Sequence, residues 1–324
     1  MRLAAVVLLA ACHTSGSSPN TGTDAGAQTL PDASAGSGSG SGSATSCGTR
    51  SGMRGKTNRT LHVAGLDRTY IVYLPAAVDP SEHVPLVFVH HGYTMSGEDM
   101  YDIANYPALA DREHVAVAFP DGQGGPSSLT APWNVGSPVC TSYEGVPPNG
   151  TGDDFAFLDA MQTDISEDQC IDTAHVFVTG FSMGGYFAHN AGCNLPNIAG
   201  IAPHSGGTHD LDACPVAKKP VIMFHGTADA VVPLGCEASS ALTNGDSAAR
   251  WAVHNGCAAT TTTKQVQGGS CIVYDGCPVG GQVELCTFTG MGHCWAGGVP
   301  GLYGCAGYES ATELEWSFWK QYAW

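Results

Sequence analysis

The chain has 324 residues, of which 43% are apolar and 13% are charged, and its formal net charge is −17. This length supports one large hydrophobic core, or at most two domains, and the apolar content excludes a largely disordered chain. The acidic balance leaves no basic surface to neutralise phosphates, so we expect no nucleic-acid partner. The 13 cysteines indicate an oxidising compartment, but an odd number cannot all pair within the chain.

The N-terminal residues have the pattern of an export signal. Arg2 precedes a short apolar run that cannot span a bilayer as a helix, and the run ends in the sequence LAAC, with Cys12 last. This ending resembles a bacterial lipobox, in which the cysteine is lipidated and becomes the first residue of the mature protein. An ordinary secretory signal is the alternative. We predict a signal peptide over residues 1–11 and an extracellular or cell-surface protein, anchored in the outer membrane through a lipid on Cys12.

Residues 12–46 are rich in Ser, Gly, Thr and Ala. This composition cannot bury apolar surface and predicts a flexible, lipid-anchored linker. No internal repeat and no second linker are recognisable in the remainder of the sequence. We therefore predict a single folded domain over residues 47–324, which would carry any activity.

Strand-like and helix-like segments alternate through this domain. Continuous apolar runs are typical of strands covered on both faces, and the first long helical pattern begins at Asp153 or Asp154, either of which can cap it. The predicted strands span residues 69–74, 85–90, 115–119, 174–179, 220–224 and 282–288. The predicted helices span residues 153–166, 185–190, 246–253 and 312–322. This alternation predicts an α/β fold with a mostly parallel sheet and helices on both faces.

A G-x-S-x-G motif, GFSMG with Ser182 at its centre, lies between a predicted strand and a predicted helix. In this context the motif indicates a sharp turn that lifts the serine hydroxyl out of the sheet. Glycines flank the turn because a side chain there would collide with neighbouring elements, and the helix start presents N–H groups to developing negative charge. A purely structural Gly-Ser turn is the alternative. We predict Ser182 as a catalytic nucleophile.

A serine nucleophile needs a base and an acid that orients the base, and hydrolases with this turn carry them in the order Ser, Asp or Glu, His. Asp229 follows the predicted strand 220–224, and His293 lies in a glycine-containing loop after the predicted strand 282–288. Both are therefore expected at the carboxyl ends of parallel strands, where ligands bind. We predict Asp229 as the acid and His293 as the base.

Other residues could fill these two roles. Asp275 is the alternative acid, but it lies among closely spaced cysteines in what has the pattern of a tight loop. His204 and His225 are the alternative bases, and His225 is expected instead to brace the loop that carries Asp229.

The same chemistry requires an oxyanion hole, in which N–H groups stabilise the charge that develops on the substrate carbonyl. The backbone N–H of Met183 is the first predicted donor. The second is predicted after strand 85–90, at Tyr93, with Thr94 as the alternative. The side chains of His90 and His91 could also be read as metal ligands, but no ordered set of His, Asp or Glu partners accompanies them. We therefore expect neither a metal nor a cofactor.

Seven segments between residues 69 and 298 form a specific set: YIVYLP, VHHGYT, PWNVG, GDDFAFL, VFVTGFSMGG, HGTADAVVP and GMGHCWAGG. Together they resemble the secreted feruloyl esterase and polyhydroxybutyrate depolymerase group, which is related to carbohydrate esterase family one. The resemblance implies an α/β-hydrolase fold, hydrolysis of carboxylic esters, and a triad of Ser182, Asp229 and His293, which fall on the family's motif positions. One departure is Ala296, which replaces the proline of the family's His-x-Trp-Pro-Gly segment.

Trp133, Trp295 and Tyr93 are candidates to line a pocket for the acyl or aromatic part of a substrate, with ordinary packing as the alternative. The resemblance leaves two classes of ester substrate, hydroxycinnamoyl-polysaccharides of plant walls and polyhydroxybutyrate-type polyesters. No further binding module is recognisable in the sequence, which favours the plant-wall esters. An acyltransferase, a serine peptidase and a non-catalytic binding lipoprotein are the alternatives from other classes.

Lipidation of Cys12 would leave an even number of cysteines, so all the others could pair. Zinc ligation is the alternative, but the usual short spacings of zinc-binding cysteines are missing. Sequence spacing suggests three disulfides: Cys271–Cys277, Cys257–Cys286 and Cys294–Cys305. The last would restrain the loop of His293, which immediately precedes Cys294, so we expect reduction to lower activity before the domain unfolds.

Overall fold

The computed structural model describes residues 47, 50, 52–127, 130–136, 149–208, 211–235, 243–301 and 303–324. The predicted signal peptide, the lipidation site at Cys12 and the linker lie outside these residues, so these assignments stay predictions. In the part of the chain that the structure describes, no helix is both long and apolar enough to cross a membrane.

Strands and helices alternate along the described residues. The strands are β1 (Gly55–Val63), β2 (Leu66–Leu74), β3 (Val84–His90), β4 (Ala116–Pro120), β5 (Ile171–Phe181), β6 (Gly200–His204), β7 (Val221–Gly226), β8 (Thr261–Val266), β9 (Gly269–Tyr274), β10 (Val283–Phe288), β11 (Trp295–Ala296) and β12 (Gly304–Cys305). The helices are α1 (Gly97–Ile103), α2 (Tyr106–Glu113), α3 (Asp154–Asp168), α4 (Met183–Asn194), α5 (Asn244–Asn255) and α6 (Ala311–Tyr322).

Strands β1 to β10 form one sheet in the order β1-β2-β4-β3-β5-β6-β7-β10-β9-β8. The central strands, from β4 to β10 in this order, pair in parallel. Antiparallel hairpins extend the sheet at both sides, with β1 and β2 at one side and β8 and β9 at the other. The short strands β11 and β12 pair separately. These pairings confirm the predicted mostly parallel sheet.

Helices cover both faces of this sheet. One cluster of buried apolar side chains includes residues of α3, α4 and α5, and the other includes residues of α1, α2 and α6. Strands β3, β4, β6 and β7 are buried along their whole length. Strands that are covered on both faces need apolar side chains on both, which explains their continuous apolar runs. The predicted α/β fold with helices on both faces is confirmed.

Helix α3 corresponds to the predicted helix 153–166. Asp153 caps it, because its side chain accepts a hydrogen bond from the Ala156 N–H at 2.9 Å. The other predicted cap, Asp154, is buried and forms an ion pair with Arg68 at 2.7 Å. Asp154 also accepts a hydrogen bond from the Asn134 N–H at 2.6 Å, so it ties the segment after Trp133 to α3.

Five disulfides join described cysteines: Cys47–Cys170, Cys193–Cys214, Cys257–Cys277, Cys271–Cys286 and Cys294–Cys305. The predicted Cys294–Cys305 bridge is confirmed. The predicted Cys271–Cys277 and Cys257–Cys286 bridges are wrong. Cys271 lies directly opposite Cys286 in the antiparallel β9–β10 pair, so strand register, and not sequence spacing, determines the partner.

Candidate active site

Three segments that follow parallel strands meet at one edge of the sheet. Ser182 directly follows β5, while Asp229 lies in the loop after β7 and His293 in the loop after β10. These strands run parallel, so their carboxyl ends share one edge. In open α/β sheets this edge is where ligands bind. The structure therefore brings the three residues predicted as a triad to the same edge.

Ser182 occupies a sharp turn between β5 and α4. Its backbone has φ of 56° and ψ of −116°, in the left-handed half of conformational space that non-glycine residues rarely adopt. The Ser182 N–H donates a hydrogen bond to the His204 carbonyl at 2.9 Å, which holds the turn against β6. A Cβ atom at Gly180 would overlap the Gly184 carbonyl, and one at Gly184 would overlap the His90 carbonyl. The motif glycines are thus required by close backbone approach.

Asp229 and His293 form a hydrogen-bonded pair, with 2.8 Å between Asp229 Oδ2 and His293 Nδ1. The other carboxylate oxygen accepts hydrogen bonds from the N–H groups of Val231 at 3.0 Å and Val232 at 2.9 Å. Burial acts to raise the pKa of Asp229, but the His293 ring, His225 and the Val232 N–H together outweigh it and leave the pKa below its ordinary value. An ionised carboxylate only accepts hydrogen bonds, so His293 carries a proton on Nδ1 and keeps Nε2 available as a base.

The His293 imidazole lies beside the serine turn. Its ring centroid is 4.6 Å from that of Phe181, the residue before Ser182, and only 10% of its side chain is exposed. Among the described residues, no hydrogen bond joins the Ser182 hydroxyl to the His293 ring. In free hydrolases this contact is often long and tightens when substrate binds. The hydrogen bond to Asp229 therefore orients the base.

The loop after β3 approaches Ser182 from the other side. A Cβ atom at Gly92 would lie 3.2 Å from the Ser182 Cβ, so the absence of a side chain allows this approach. Tyr93 follows directly, and Met183 is the first residue of α4, where helical N–H groups have no partner within the helix. The predicted oxyanion donors, the N–H groups of Met183 and of Tyr93 or Thr94, thus lie in segments that flank the serine.

His90 and His91 support this loop from within the core. Burial lowers the pKa of His90 to about 3, so its ring is neutral. Both ring nitrogens of His91 are engaged, because Nε2 accepts the Gly122 N–H at 2.8 Å and Nδ1 lies 2.6 Å from the Gly92 carbonyl. His90 Nδ1 lies 3.2 Å from the Thr179 carbonyl, and its ring packs against Trp133 and Phe187, so both histidines have structural partners beneath the loop.

The alternative acid and bases occupy other positions. Asp275 follows β9, which runs antiparallel to β10, so it lies at the edge opposite His293. His225 Nε2 donates to the Val232 carbonyl at 2.8 Å and therefore braces the Asp229 loop, as predicted. His204 is fully buried below the serine turn, with Nε2 directed at Glu315. None of these three residues is placed to exchange a proton with Ser182.

The two tryptophans predicted to contact substrate are buried. Trp133 is 0% exposed and donates its indole N–H to the His91 carbonyl at 2.8 Å. Trp295 is 1% exposed, stacks on His204 at 3.5 Å and donates its indole N–H to the Thr312 hydroxyl at 3.1 Å. Both indoles are satisfied by internal partners, so the structure favours packing over a substrate contact at these positions.

Two residues near the site were not anticipated from the sequence. The half-buried Tyr303 ring lies 5.8 Å from the Phe181 ring, and its carbonyl accepts the Trp295 N–H at 2.7 Å. No motif marks Tyr303. The burial of Glu315, in contrast, could have been predicted from the sequence. Its spacing from Thr312 and Trp319 places it on the buried face of α6.

Known proteins similar to this chain are esterases. Feruloyl esterase B from Piromyces equi is 30% identical over 273 residues, which cover 79% of this chain and 45% of that protein. Feruloyl esterase C from Emericella nidulans is 26% identical over 265 residues, which cover 78% of this chain and 83% of that protein. The chain therefore spans less than half the length of the first of these relatives. No protein-family model matches the chain.

A solved structure supports the fold independently. The acetyl xylan esterase from Aspergillus awamori superposes with a TM-score of 0.55 at 14% sequence identity, over 81% of this chain and 99% of that one. At this identity the superposition reports on architecture alone, and it agrees with the parallel sheet and flanking helices described above. The chain is therefore similar in sequence to feruloyl esterases and shares its fold with an acetyl xylan esterase.

Proposed function

We propose that this protein is an exported serine esterase that hydrolyses carboxylic esters with a triad of Ser182, Asp229 and His293. The observation that carries the proposal is the Asp229–His293 hydrogen bond of 2.8 Å, at the sheet edge where Ser182 occupies its strained turn. A serine hydroxyl is a weak nucleophile until a base removes its proton. An imidazole held by an ionised carboxylate beside such a turn supplies that base.

The mechanism follows from these positions. His293 Nε2 accepts the Ser182 proton while Oγ attacks the ester carbonyl, and Asp229 stabilises the imidazolium that forms. The N–H groups of Met183 and of Tyr93 or Thr94 donate to the oxygen of the tetrahedral intermediate. The imidazolium then returns its proton to the leaving alcohol. Water attacks the resulting acyl-enzyme by the same route and releases the acid.

We infer a plant-wall ester as the substrate class, with feruloyl esters first and acetyl esters of xylan second. The names of the similar proteins support both, because two are feruloyl esterases and another is a bifunctional acetylxylan esterase/xylanase from Neocallimastix patriciarum. A polyhydroxybutyrate depolymerase remains the alternative within the same chemistry. Transfer of the acyl group to an alcohol and hydrolysis of a peptide are the alternatives of other classes.

The protein is proposed to act outside the cytoplasm. Five disulfides are typical of a protein in an oxidising compartment, which agrees with the predicted export signal. Lipidation of Cys12 would tether the domain to the outer membrane through the linker of residues 12–46. Mass spectrometry of the protein from the membrane fraction tests this anchor, and an unmodified Cys12 would overturn it.

A substrate panel tests the activity. Methyl ferulate, acetylated xylan, amorphous polyhydroxybutyrate and a chromogenic peptide are each supplied to the wild-type protein and to Ser182→Ala. We expect turnover of methyl ferulate and a loss of at least about a thousandfold in Ser182→Ala. Exclusive turnover of the polyester or of the peptide would replace the substrate assignment. A folded Ser182→Ala protein with normal ester turnover would overturn the triad.

A further inference from the structure

A second carboxyl–histidine pair lies beneath the candidate triad. Glu315 on α6 is 0% exposed, and its Oε2 atom lies 3.0 Å from His204 Nε2 and 2.9 Å from Thr179 Oγ1. Its other oxygen accepts a hydrogen bond from the Tyr106 hydroxyl. Among the described residues, His204 is the only basic side chain within ion-pairing distance of this carboxyl group. The proposed ester chemistry uses none of these four residues.

The hydrogen-bond distances around Glu315 favour a neutral carboxylic acid. The Thr179 hydroxyl lies 2.6 Å from the Ala202 carbonyl, which can only accept a hydrogen bond. The single hydroxyl proton of Thr179 therefore points to Ala202. The 2.9 Å contact between Thr179 Oγ1 and Glu315 Oε2 then requires a proton from Glu315, because two lone pairs would otherwise face each other.

His204 is neutral for a related reason. Its Nδ1 atom is buried and has no hydrogen-bond partner within the described structure. Protonation would turn Nδ1 into a buried donor without an acceptor, which is costly. Burial likewise lowers the pKa of His204 and raises that of Glu315 and of Tyr106. The pair thus consists of a protonated acid and a neutral imidazole that donates from Nε2 to Oε2.

This pair connects Ser182 and the His293 segment, which are the two proton-exchanging partners of the proposed ester chemistry. The His204 carbonyl accepts the N–H of Ser182 at 2.9 Å. The His204 ring stacks on Trp295 with 3.5 Å between centroids and 10° between ring planes. Trp295 lies two positions after His293 in the same loop. A displacement of His204 would therefore move the nucleophile and the base relative to each other.

We propose that Glu315 is a positioning residue that acts as a neutral carboxylic acid. Through His204, it fixes the position of Ser182 relative to the loop that carries His293. The catalytic part of this inference rests on the proposed esterase function, whereas the protonation part does not. Small displacements of reacting groups cost large factors in rate, so loss of the acid should lower kcat and leave KM nearly unchanged.

Two substitutions of the same residue separate the possibilities. Glu315→Gln keeps an uncharged donor and acceptor, but its amide can serve both Thr179 and His204 only if the His204 proton moves to Nδ1, where it has no described partner and lowers stability. Glu315→Leu keeps the volume but removes every hydrogen bond. We expect kcat to fall by less than about tenfold in Glu315→Gln and by about ten- to a hundredfold in Glu315→Leu, each with KM within about twofold. Glu313→Leu, which removes an exposed carboxylate of the same helix, is the matched control and should leave kcat unchanged.

A pH titration provides a readout that a merely structural role would not move. An acid whose pKa is raised by folding stabilises the fold fully below its ordinary pKa and loses that contribution as pH rises. The unfolding equilibrium constant of wild type, divided by that of Glu315→Gln, should therefore rise about tenfold per pH unit between about pH 6 and pH 8. The facing titratable groups, Tyr106 and His204, are present in both proteins, and neither changes charge in the folded state over this range.

Each outcome decides the matter. A constant ratio across this pH range would show that Glu315 is ionised and would overturn the proposal. Full kcat in Glu315→Leu would overturn the positioning role. If Glu315→Leu does not fold, the Glu315→Gln titration still decides the protonation state. The positioning role is then tested by comparing Glu315→Gln with Glu315→Asp, and it requires that kcat is largely retained in the first variant and lowered in the second. An inactive wild-type protein would instead refute the proposed function and leave the titration result standing.

Discussion

Two of the carboxyl–histidine pairs among the described residues, one at the candidate site and one beneath it, have similar distances but differ in the proposed charge of the carboxyl group. Asp229 lies 2.8 Å from His293, and Glu315 lies 3.0 Å from His204. Asp229 also accepts two main-chain N–H groups, and its pKa falls below its ordinary value. No main-chain N–H of the described residues bonds to the Glu315 side chain, and burial raises the pKa of Glu315 well above its ordinary value. At Asp229 the His293 ring, followed by His225 and the Val232 N–H, outweighs burial and lowers the pKa, whereas at Glu315 burial prevails over the hydrogen bonds from Tyr106 and Thr179.

The difference in charge suits the difference in position. The ionised Asp229 faces a histidine at the ligand-binding edge, where a proposed imidazolium must form and be stabilised. The neutral Glu315 lies in the core beneath that edge, where an unpaired charge would be expensive. Similar side-chain pairs can therefore serve as an electrostatic partner in one place and as an uncharged brace in the other.

The strongest test of this comparison removes the charge of Asp229. Asp229→Asn presents an amide that can donate to Nδ1, so the imidazole is held in the wrong tautomer and its charged form loses its partner. We expect kcat for ester hydrolysis to fall by about 10³–10⁴. Asp275→Asn, at the opposite edge of the sheet, is the control and should retain normal turnover. In Glu315→Gln the same kind of exchange is expected to be tolerated. Equal losses of kcat in Asp229→Asn and Glu315→Gln would therefore refute the proposed difference between the two pairs.

A smaller effect is expected from the loop that carries His293. The Cys294–Cys305 bridge closes a short segment directly after the base. We expect Cys294→Ser/Cys305→Ser to lower kcat by about tenfold or less while the protein stays folded, because the loop gains freedom without loss of the triad. Kinetics and circular dichroism measured on the same sample check this.

The matched control for that variant removes a bridge at the edge of the sheet opposite His293. Cys257–Cys277 joins the end of α5 to the segment before β10, away from the candidate site. Its double serine variant should lower the unfolding midpoint without changing kcat at permissive temperature. Equal losses of kcat in both variants would show that the bridges act on global stability alone.

Much of the sheet could be predicted from the sequence, because strands buried on both faces need continuous apolar runs. The predicted strand 85–90 corresponds to β3 and the predicted strand 220–224 lies within β7 and the residue before it. Strand β8 could not be found in this way, since TTTKQV is exposed and carries no apolar pattern. Because the β8–β9 hairpin could not be predicted, the register of β9 on β10 could not be predicted either. This register places Cys271 opposite Cys286.

The candidate site likewise contains some features that the local sequence encodes and others that it does not. A short motif encodes the Ser182 turn, because backbone crowding requires glycine at set positions around it. The direction of the Trp133 and Trp295 side chains is not encoded locally. It depends on internal partners far along the chain, such as Thr312 for Trp295. The role of Glu315 likewise depends on residues from three other elements, which only the folded chain brings together.

The most direct test of the central claim is to locate the reactive serine. A fluorophosphonate probe forms a covalent adduct with an activated serine, and peptide mapping by mass spectrometry identifies the residue. We predict a single adduct on Ser182 in the wild-type protein, with slow labelling in Asp229→Asn and none at this position in Ser182→Ala. An adduct on another serine, or a folded protein that the probe does not label, would contradict the account.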